Sequence, residues 1–282
     1  MAVPVATIDL HTHSTASDGT FSPTEVVRLA LERGVSLLAL SDHDTTAGLD
    51  EAADAAAGTG LELVPATEFS TVYEGGSIHV LAYWIDAANG EFQAELDRLR
   101  DDREWRAREI VKRLNAMGHG IGYERVRELA AGNVVARPHI AQAMLEAGLV
   151  ERYEDAFTAA FIADGGAAHV EKHALHPVDA LYLIHRAGGV CVVAHPGMWS
   201  DADPVPDSLI ERMAEEELDG IEADHPDHSP EQRERYRVMA RRLGLPFTGS
   251  SDCHGTRFDP VRLGTVTTDP AEFAKLRARA AR

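Results

Sequence analysis

Residues 8–20, Ile-Asp-Leu-His-Thr-His-Ser-Thr-Ala-Ser-Asp-Gly-Thr, place His11 and His13 two apart, with Asp18 and Gly19 close behind. Side chains two apart on a strand point to the same side. The pair therefore either sits exposed at a strand end or shares a metal ion. The same spacing returns late in the chain as Asp252 and His254 in "GSSDCHG". Between them come Asp42, His43 and Asp44 in "SDHD", Glu68 in "ATEFS", His79 in "SIHVLAY" and His195 in "AHPG". Gathered in one buried cluster without ions, these imidazoles and carboxylates would face severe desolvation and like-charge costs. Coordination of divalent metal removes that cost and is the expected chemistry.

The elements that must gather them are short apolar runs. "ATIDL", "SLLAL", "LELVPA", "SIHVLAY", "GVCVVA", "DGIEA", "LPFTG" and "LGTV" read as strands. "SPTEVVRLALERG", "HPVDALYLIHRAGG" and "SPEQRERYRVMARRLG" read as helices, with Pro near the start and Gly at the end. Alternation of the two implies an α/β fold with a largely parallel sheet, open or closed into a barrel. The chemically active residues then fall at or near the C-terminal ends of the strands, where such folds place their sites. From about Asn89 to Val170 the pattern is helical: a long helix in "EFQAELDRLRDDREWRAREIVKRLNAMG", then shorter ones in "YERVRELAAG", "RPHIAQAMLEAG" and "ERYEDAFTAAF". The long helix mixes both signs of charge, as a solvated face with i,i+4 pairs does. The organisation expected is a barrel over residues 1–88 and 171–282, with 89–170 as a helical insertion or cap.

A chain of 282 residues with a net charge of −19 disfavours tight, sequence-independent binding to long nucleic acid, while a small anionic substrate stays compatible if metals reverse the local sign. No apolar run approaches the ~20 residues of a membrane helix. The start, "MAVPVATIDL", lacks the charged and apolar regions of a secretory signal, and two cysteines make no disulfide framework, so a cytoplasmic location is expected. Cys191 reads as a small buried residue, and Cys253 as facing away from Asp252 and His254.

The ordered set "DLHTHSTASDG", "SDHD", "ATEFS", "IHVLAY", "AHPG" and "GSSDCHG" resembles the polymerase and histidinol phosphatase (PHP) family of metal-dependent phosphoesterases. "ARPHI" at 136–140, "AGGVCVVAHP" and "DGIEADHPDHSPEQRERY" resemble its branch of stand-alone enzymes acting on nucleoside 3′,5′-bisphosphates and on the 5′ ends of short oligoribonucleotides. The resemblance implies a distorted (β/α)7 TIM-like barrel with a helical insertion, and three divalent ions; mixed imidazole and carboxylate ligands suit Mn, Fe or Zn better than Mg. By that resemblance His11, His13, Glu68 and Asp252 surround the first ion. Glu68, His79 and His195 surround the second, and Asp18, His43 and His254 the third. Three divalent ions against these three carboxylates leave about +3, which suits a phosphate dianion.

The mechanism expected is in-line hydrolysis of a phosphomonoester by a water shared between the first two ions. Arg137 is the expected phosphate clamp and Lys172 the second choice. His225 is expected to contact substrate or protonate the leaving oxygen. Asp44 could orient His43 or a bound water and Asp9 the histidines that follow it, and Trp84, Phe161 or Trp199 could stack on a base. His139 and His228 read as structural. A histidinol-phosphate phosphatase, a nuclease on longer strands and a non-catalytic metal-binding module are the competing readings. The oligomeric state is not legible.

Overall fold

A computed structural model describes residues 6–130, 134–198 and 204–280; Trp199 lies outside them. Seven strands line up in chain order: β1 (Ile8–Asp9), β2 (Leu37–Leu40), β3 (Glu62–Tyr73), β4 (Gly76–Tyr83), β5 (Val190–Val193), β6 (Gly220–Asp224) and β7 (Phe247–Gly249). They form a nearly closed barrel. The seam between first and last strands is stitched at the rim, where Thr12 bridges Cys253 and the His13 N–H donates to the Cys253 carbonyl at 2.9 Å. Asp9 belongs to this seam rather than to the histidines: its two oxygens accept the Ser251 and Gly264 N–H groups.

The sheet is parallel except at β4, which runs against both β3 and β5. Only Glu74 and Gly75 separate β3 from β4, and both have positive φ, 47° and 81°. So short a link can close only a hairpin, since a parallel return needs about a dozen residues or more. The expected strand "LGTV" does not form. Leu263–Val266 turn, with Gly264 at φ 73°.

Inside the barrel, alternate residues of the strands (Val64 and Ala66, Leu81 and Tyr83, Val190 and Val192) form one apolar cluster. Outside it lie α1 (Pro23–Glu32), α2 (Leu49–Ala56), α6 (Pro177–Arg186), α7 (Asp207–Glu215) and α8 (Pro230–Leu243), while α9 (Pro270–Ala280) contributes Phe273 and Leu276 to the interior cluster. Pro in the first turn is present in α1, α6 and α8, and Ser22 and Ser229 complete capping boxes.

Between β4 and α6 run α3 (Gly90–Ala116), α4 (Tyr123–Leu129) and α5 (Arg137–Glu146). Their apolar faces form a separate cluster around Ile110, Leu114, Ile140 and Met144. The long helix α3 is shared: Phe92, Leu96 and Leu99 pack with the barrel's outer cluster, and residues from Ala107 onward with the helical one. The segment "ERYEDAFTAAF" makes one 3-10 turn, Tyr153–Ala156, because the chain then doubles back and the Ile162 N–H bonds to the Ala156 carbonyl. No helix among the described residues is long and apolar enough to cross a membrane.

Candidate metal centre

The segment after β1 carries His11 and His13 into the barrel mouth, where both are fully buried. Asp42 shapes the following turn: Oδ1 accepts the Ser14 N–H and the Ser17 hydroxyl, and Oδ2 the Ser14 hydroxyl. Gly19 makes that turn possible, since a Cβ there would sit 2.6 Å from the His13 carbonyl oxygen. The turn returns Asp18 to within 3.3 Å of His254 Nε2. His79 reaches the same rim because β4 is reversed: it pairs with Ser70, two residues beyond Glu68, near the start of its strand. His195 and Asp252 follow β5 and β7 with φ of 25° and 47°, left-handed conformations that non-glycine residues rarely adopt.

Glu68 is the hub. Its Oε2 lies 3.2 Å from His11 Nε2, 3.3 Å from His13 Nε2 and 2.9 Å from His43 Nδ1; its Oε1 lies 2.7 Å from His79 Nδ1 and 3.0 Å from His195 Nε2. Asp252 Oδ1 lies 3.3 Å from His11 Nε2 and 3.2 Å from His13 Nε2. The ligand-capable atoms fall into four overlapping groups: His13–Asp18–His43–His254, His11–Glu68–His195, His11–His13–Asp252 and His43–Glu68–His79. All nine residues singled out in the sequence thus meet at one rim, although His79 and His195 fall in separate groups.

Proximity alone does not make a metal site; the orphaned atoms do. His11 Nε2, both ring nitrogens of His13, His43 Nδ1, His79 Nδ1, Glu68 Oε2 and Asp252 Oδ1 are buried without a hydrogen-bond partner among the described residues. They lie near one another yet are not aligned to bond with one another, so they converge on shared points. Unpaired buried polar atoms are costly, and a cation at those points satisfies them. The cluster of His185, Cys191 and Asp219 has no such orphans, because His185 Nε2 already bonds Asp219 at 2.8 Å.

The electrostatics agree. Burial opposes charge on His13, but the close Asp252 and Glu68 carboxylates outweigh it and raise its pKa to about 10. Burial wins at His79, which drops to about 3 and stays neutral. Despite burial, the carboxyls of Asp18, Glu68 and Asp252 are held well below their usual range by neighbouring histidines. The acids demand positive charge, which protonated rings supply in the absence of ions.

Beside this rim lies a cavity of about 200 Å³, lined at one end by Asp18, His43 and His79. Arg103 and Arg106 of α3, Arg137 of α5 and Lys172 bring positive charge to it, and Ile110, Ile140 and Phe157 an apolar wall. Of the two residues expected to bind phosphate, Arg137 donates to Asp164 at 2.7 Å and Lys172 to Ser77 at 3.0 Å. Burial and the surrounding guanidinium groups lower the Lys172 pKa to about 7. His225 is buried, donating from Nε2 to Asp252 at 3.2 Å and accepting the Asp227 N–H at Nδ1.

The expectations for Asp44, Trp84 and Phe161 need correction. Asp44 does not touch a metal-site histidine through its carboxylate: Oδ1 accepts the Ser70 N–H and Oδ2 the Arg103 guanidinium. Trp84 stands at the far end of reversed β4, against Phe273, away from the mouth. Phe161 packs on His119, and Phe157 lines the cavity instead. His139 accepts the Ala136 N–H, while His228 joins the Ala223 carbonyl to the Gly197 N–H. Cys253 Sγ accepts the Gly255 N–H.

Three residues escaped the sequence reading. Arg103 and Arg106 face inward with Ala107 and Ile110, a spacing of three, four and seven that marks one helix face. Glu222 takes the inward parity of β6, opposite to Ile221 and Ala223 in the outer cluster, and is fully buried. An acid set between the apolar Ile221 and Ala223 of the expected strand was its signal.

A barrel whose mouth holds orphaned imidazoles and carboxylates beside a cationic cavity suits metal-assisted hydrolysis of an anionic substrate. The PHP domain family model matches residues 9–84. A 5′-3′ exoribonuclease of Haemophilus influenzae is 36% identical over 87% of this chain and 89% of its own length. A 3′,5′-nucleoside bisphosphate phosphatase of Chromobacterium violaceum is 33% identical over 89% and 88%. A crystal structure described as a metal-dependent phosphoesterase of Bifidobacterium adolescentis superimposes with a TM-score of 0.90 at 34% identity, covering 99% of this chain and 98% of its own. The chain belongs to the PHP family and is a hydrolase of phosphoester bonds.

Proposed function

We propose that the protein removes the 3′-phosphate of nucleoside 3′,5′-bisphosphates and also acts on the 5′ ends of short oligoribonucleotides. The observation that carries this reading is the cavity, with two separate sources of positive charge: the metal-binding rim, and the group Arg103, Arg106, Arg137 and Lys172. One small molecule with two phosphates matches both. Histidinol phosphate, whose amine is cationic, would meet those same cations with like charge. The names of the Haemophilus and Chromobacterium relatives point the same way.

In this reading His11, His13, Asp18, His43, Glu68, His79, His195, Asp252 and His254 hold up to three ions, of Mn, Fe or Zn. Such ions supply Lewis acidity toward phosphoryl oxygens and lower the pKa of water. The chain's own residues do the positioning that phosphoryl transfer requires. Arg137 clamps a phosphate bidentately once released from Asp164, and Lys172 adds a point charge. His225 orients Asp252 through Nε2, and residues 89–170 act as the cap that walls the cavity from water.

The test compares adenosine 3′,5′-bisphosphate, a short 5′-phosphorylated oligoribonucleotide, histidinol phosphate and a generic phosphomonoester. The bisphosphate is expected to have the highest kcat/KM. His11→Ala and Asp252→Ala are each expected to lower it at least about 10²-fold, on the scale of losing one preorganised stabilising group. Wild-type turnover by either folded variant, or preference for histidinol phosphate, overturns the reading.

A further inference from the structure

Glu222 has no role in the scheme above, yet it is fully buried. A carboxylate in that position needs donors. It has two, from two different strand ends. Its Oε1 lies 3.1 Å from His11 Nδ1, and its Oε2 accepts the His195 backbone N–H at 2.8 Å. Both residues belong to the metal-binding set, and His195 is one of the residues held at positive φ.

We infer that Glu222 is a positioning residue of the metal centre, selecting the His11 tautomer that presents the Nε2 lone pair to the ion site and pinning His195 by its backbone. The inference rests on reading the rim as a metal centre. A carboxylate can only accept, so the Nδ1 it faces must carry the proton. The other neutral tautomer would set a lone pair against Oε1 and turn an N–H toward Glu68 and Asp252. Only the form protonated at Nδ1 leaves Nε2, one of the orphaned atoms, free to ligate. A carboxylate behind a metal-bound histidine also raises its basicity as a ligand.

Glu222→Gln is the discriminating change, because it keeps the shape. If its single oxygen accepts the His195 N–H, the amide –NH2 faces His11 Nδ1. The ring is then driven to the tautomer protonated at Nε2, which cannot ligate through that atom.

The experiment titrates chelated wild type and Glu222→Gln with Zn²⁺ against a competing chelator. Circular dichroism checks the fold, and the nitrogen chemical shifts of His11 are recorded in zinc-loaded wild type. Expected are metal-bound Nε2 and protonated Nδ1 in wild type. In the variant, ions sharing His11 should bind about 10- to 100-fold more weakly, with activity regained at high metal. A merely structural acid would lower the melting temperature without changing affinity. A folded variant with wild-type affinity for every ion overturns the proposal. So does a wild-type His11 that ligates through Nδ1, a result that stands even if the variant misfolds. If wild type takes up no Zn²⁺, the metal-centre reading fails first, before any variant is compared.

Discussion

Lys172 shows how a single residue's chemistry depends on its surroundings. It shares the cavity with three guanidinium groups, and burial together with their charge lowers its pKa from 10.5 to about 7. Between those two values the unfolded chain binds one more proton than the folded one, so this residue makes stability rise with pH across that window. Lys172→Met should remove that rise. The check is the melting temperature of chelated wild type and variant between pH 6.5 and 9.5, a range set by the shift itself. Parallel curves would refute the assignment. Arg137→Ala tests a different property. Losing a charge-assisted phosphate contact of about 1.5–3 kcal/mol should lower kcat/KM roughly 10- to 100-fold, mostly through KM, with metal content unchanged. An unchanged kcat/KM would place the clamp elsewhere.

At the scale of elements, the contact that matters is the one between α3 and the barrel rim. Asp44, one residue past His43, bonds Arg103 at 2.5 Å, and Arg103 also donates to Ser70 at 2.7 Å. Arg100 reaches the Asp44 carbonyl from one turn earlier. The helix that supplies two of the cavity's three arginines is thereby clipped beside a candidate ligand. Burial would raise the Asp44 pKa, but the Arg103 guanidinium and Lys172 bring it down to about 2. A carboxylate so depressed contributes stability above its usual range and loses it as the pH falls toward 2. Asp44→Asn leaves the guanidinium buried and unpaired, and about 3–5 kcal/mol of stability should go with it. Urea unfolding at neutral pH measures this, and a loss under about 1 kcal/mol would mean the clip contributes little.

For the whole molecule, the balance is between an acidic surface and a metal-ready interior. The net charge of −19 belongs to the chain, while the cations of α3, α5 and Lys172 converge on one cavity. Glu222 changes the sum at the centre: a fourth buried carboxylate leaves about +2 with three divalent ions, rather than about +3. That still favours a phosphate dianion. The barrel's apolar clusters do not depend on ions, so chelation should abolish activity while leaving the circular dichroism spectrum intact. The melting temperature should fall, since an ion at about 1,000 times its Kd stabilises by about 4 kcal/mol. Both should return on adding Mn²⁺ or Zn²⁺. A chelated protein that retains full activity would refute metal dependence.

Residue types and their order were readable from the sequence alone, because imidazoles two apart and acids after apolar runs are local facts. So were the helices with Pro and Gly at their ends, and the helical interval between two barrel portions. The direction of β4 was not, since the two-residue link exists only because β3 runs on to Tyr73, seven residues past the end of "LELVPA". What only the tertiary structure decided was facing and partnership. Arg103 and Arg106 look like members of a solvated charge pattern until the α3 face over the cavity is known. Glu222 looks like one more strand residue until the parity of β6 aims it at His11. Asp9 and Asp44 share local spacing with metal-binding histidines, yet the barrel seam and α3 claim their carboxylates. The left-handed backbones of His195 and Asp252 have no local signature, because their strain is offset by contacts from strands far away in the chain. Local periodicity is encoded by neighbours, but which donor meets which acceptor inside a barrel is set by register and closure, which no short stretch contains.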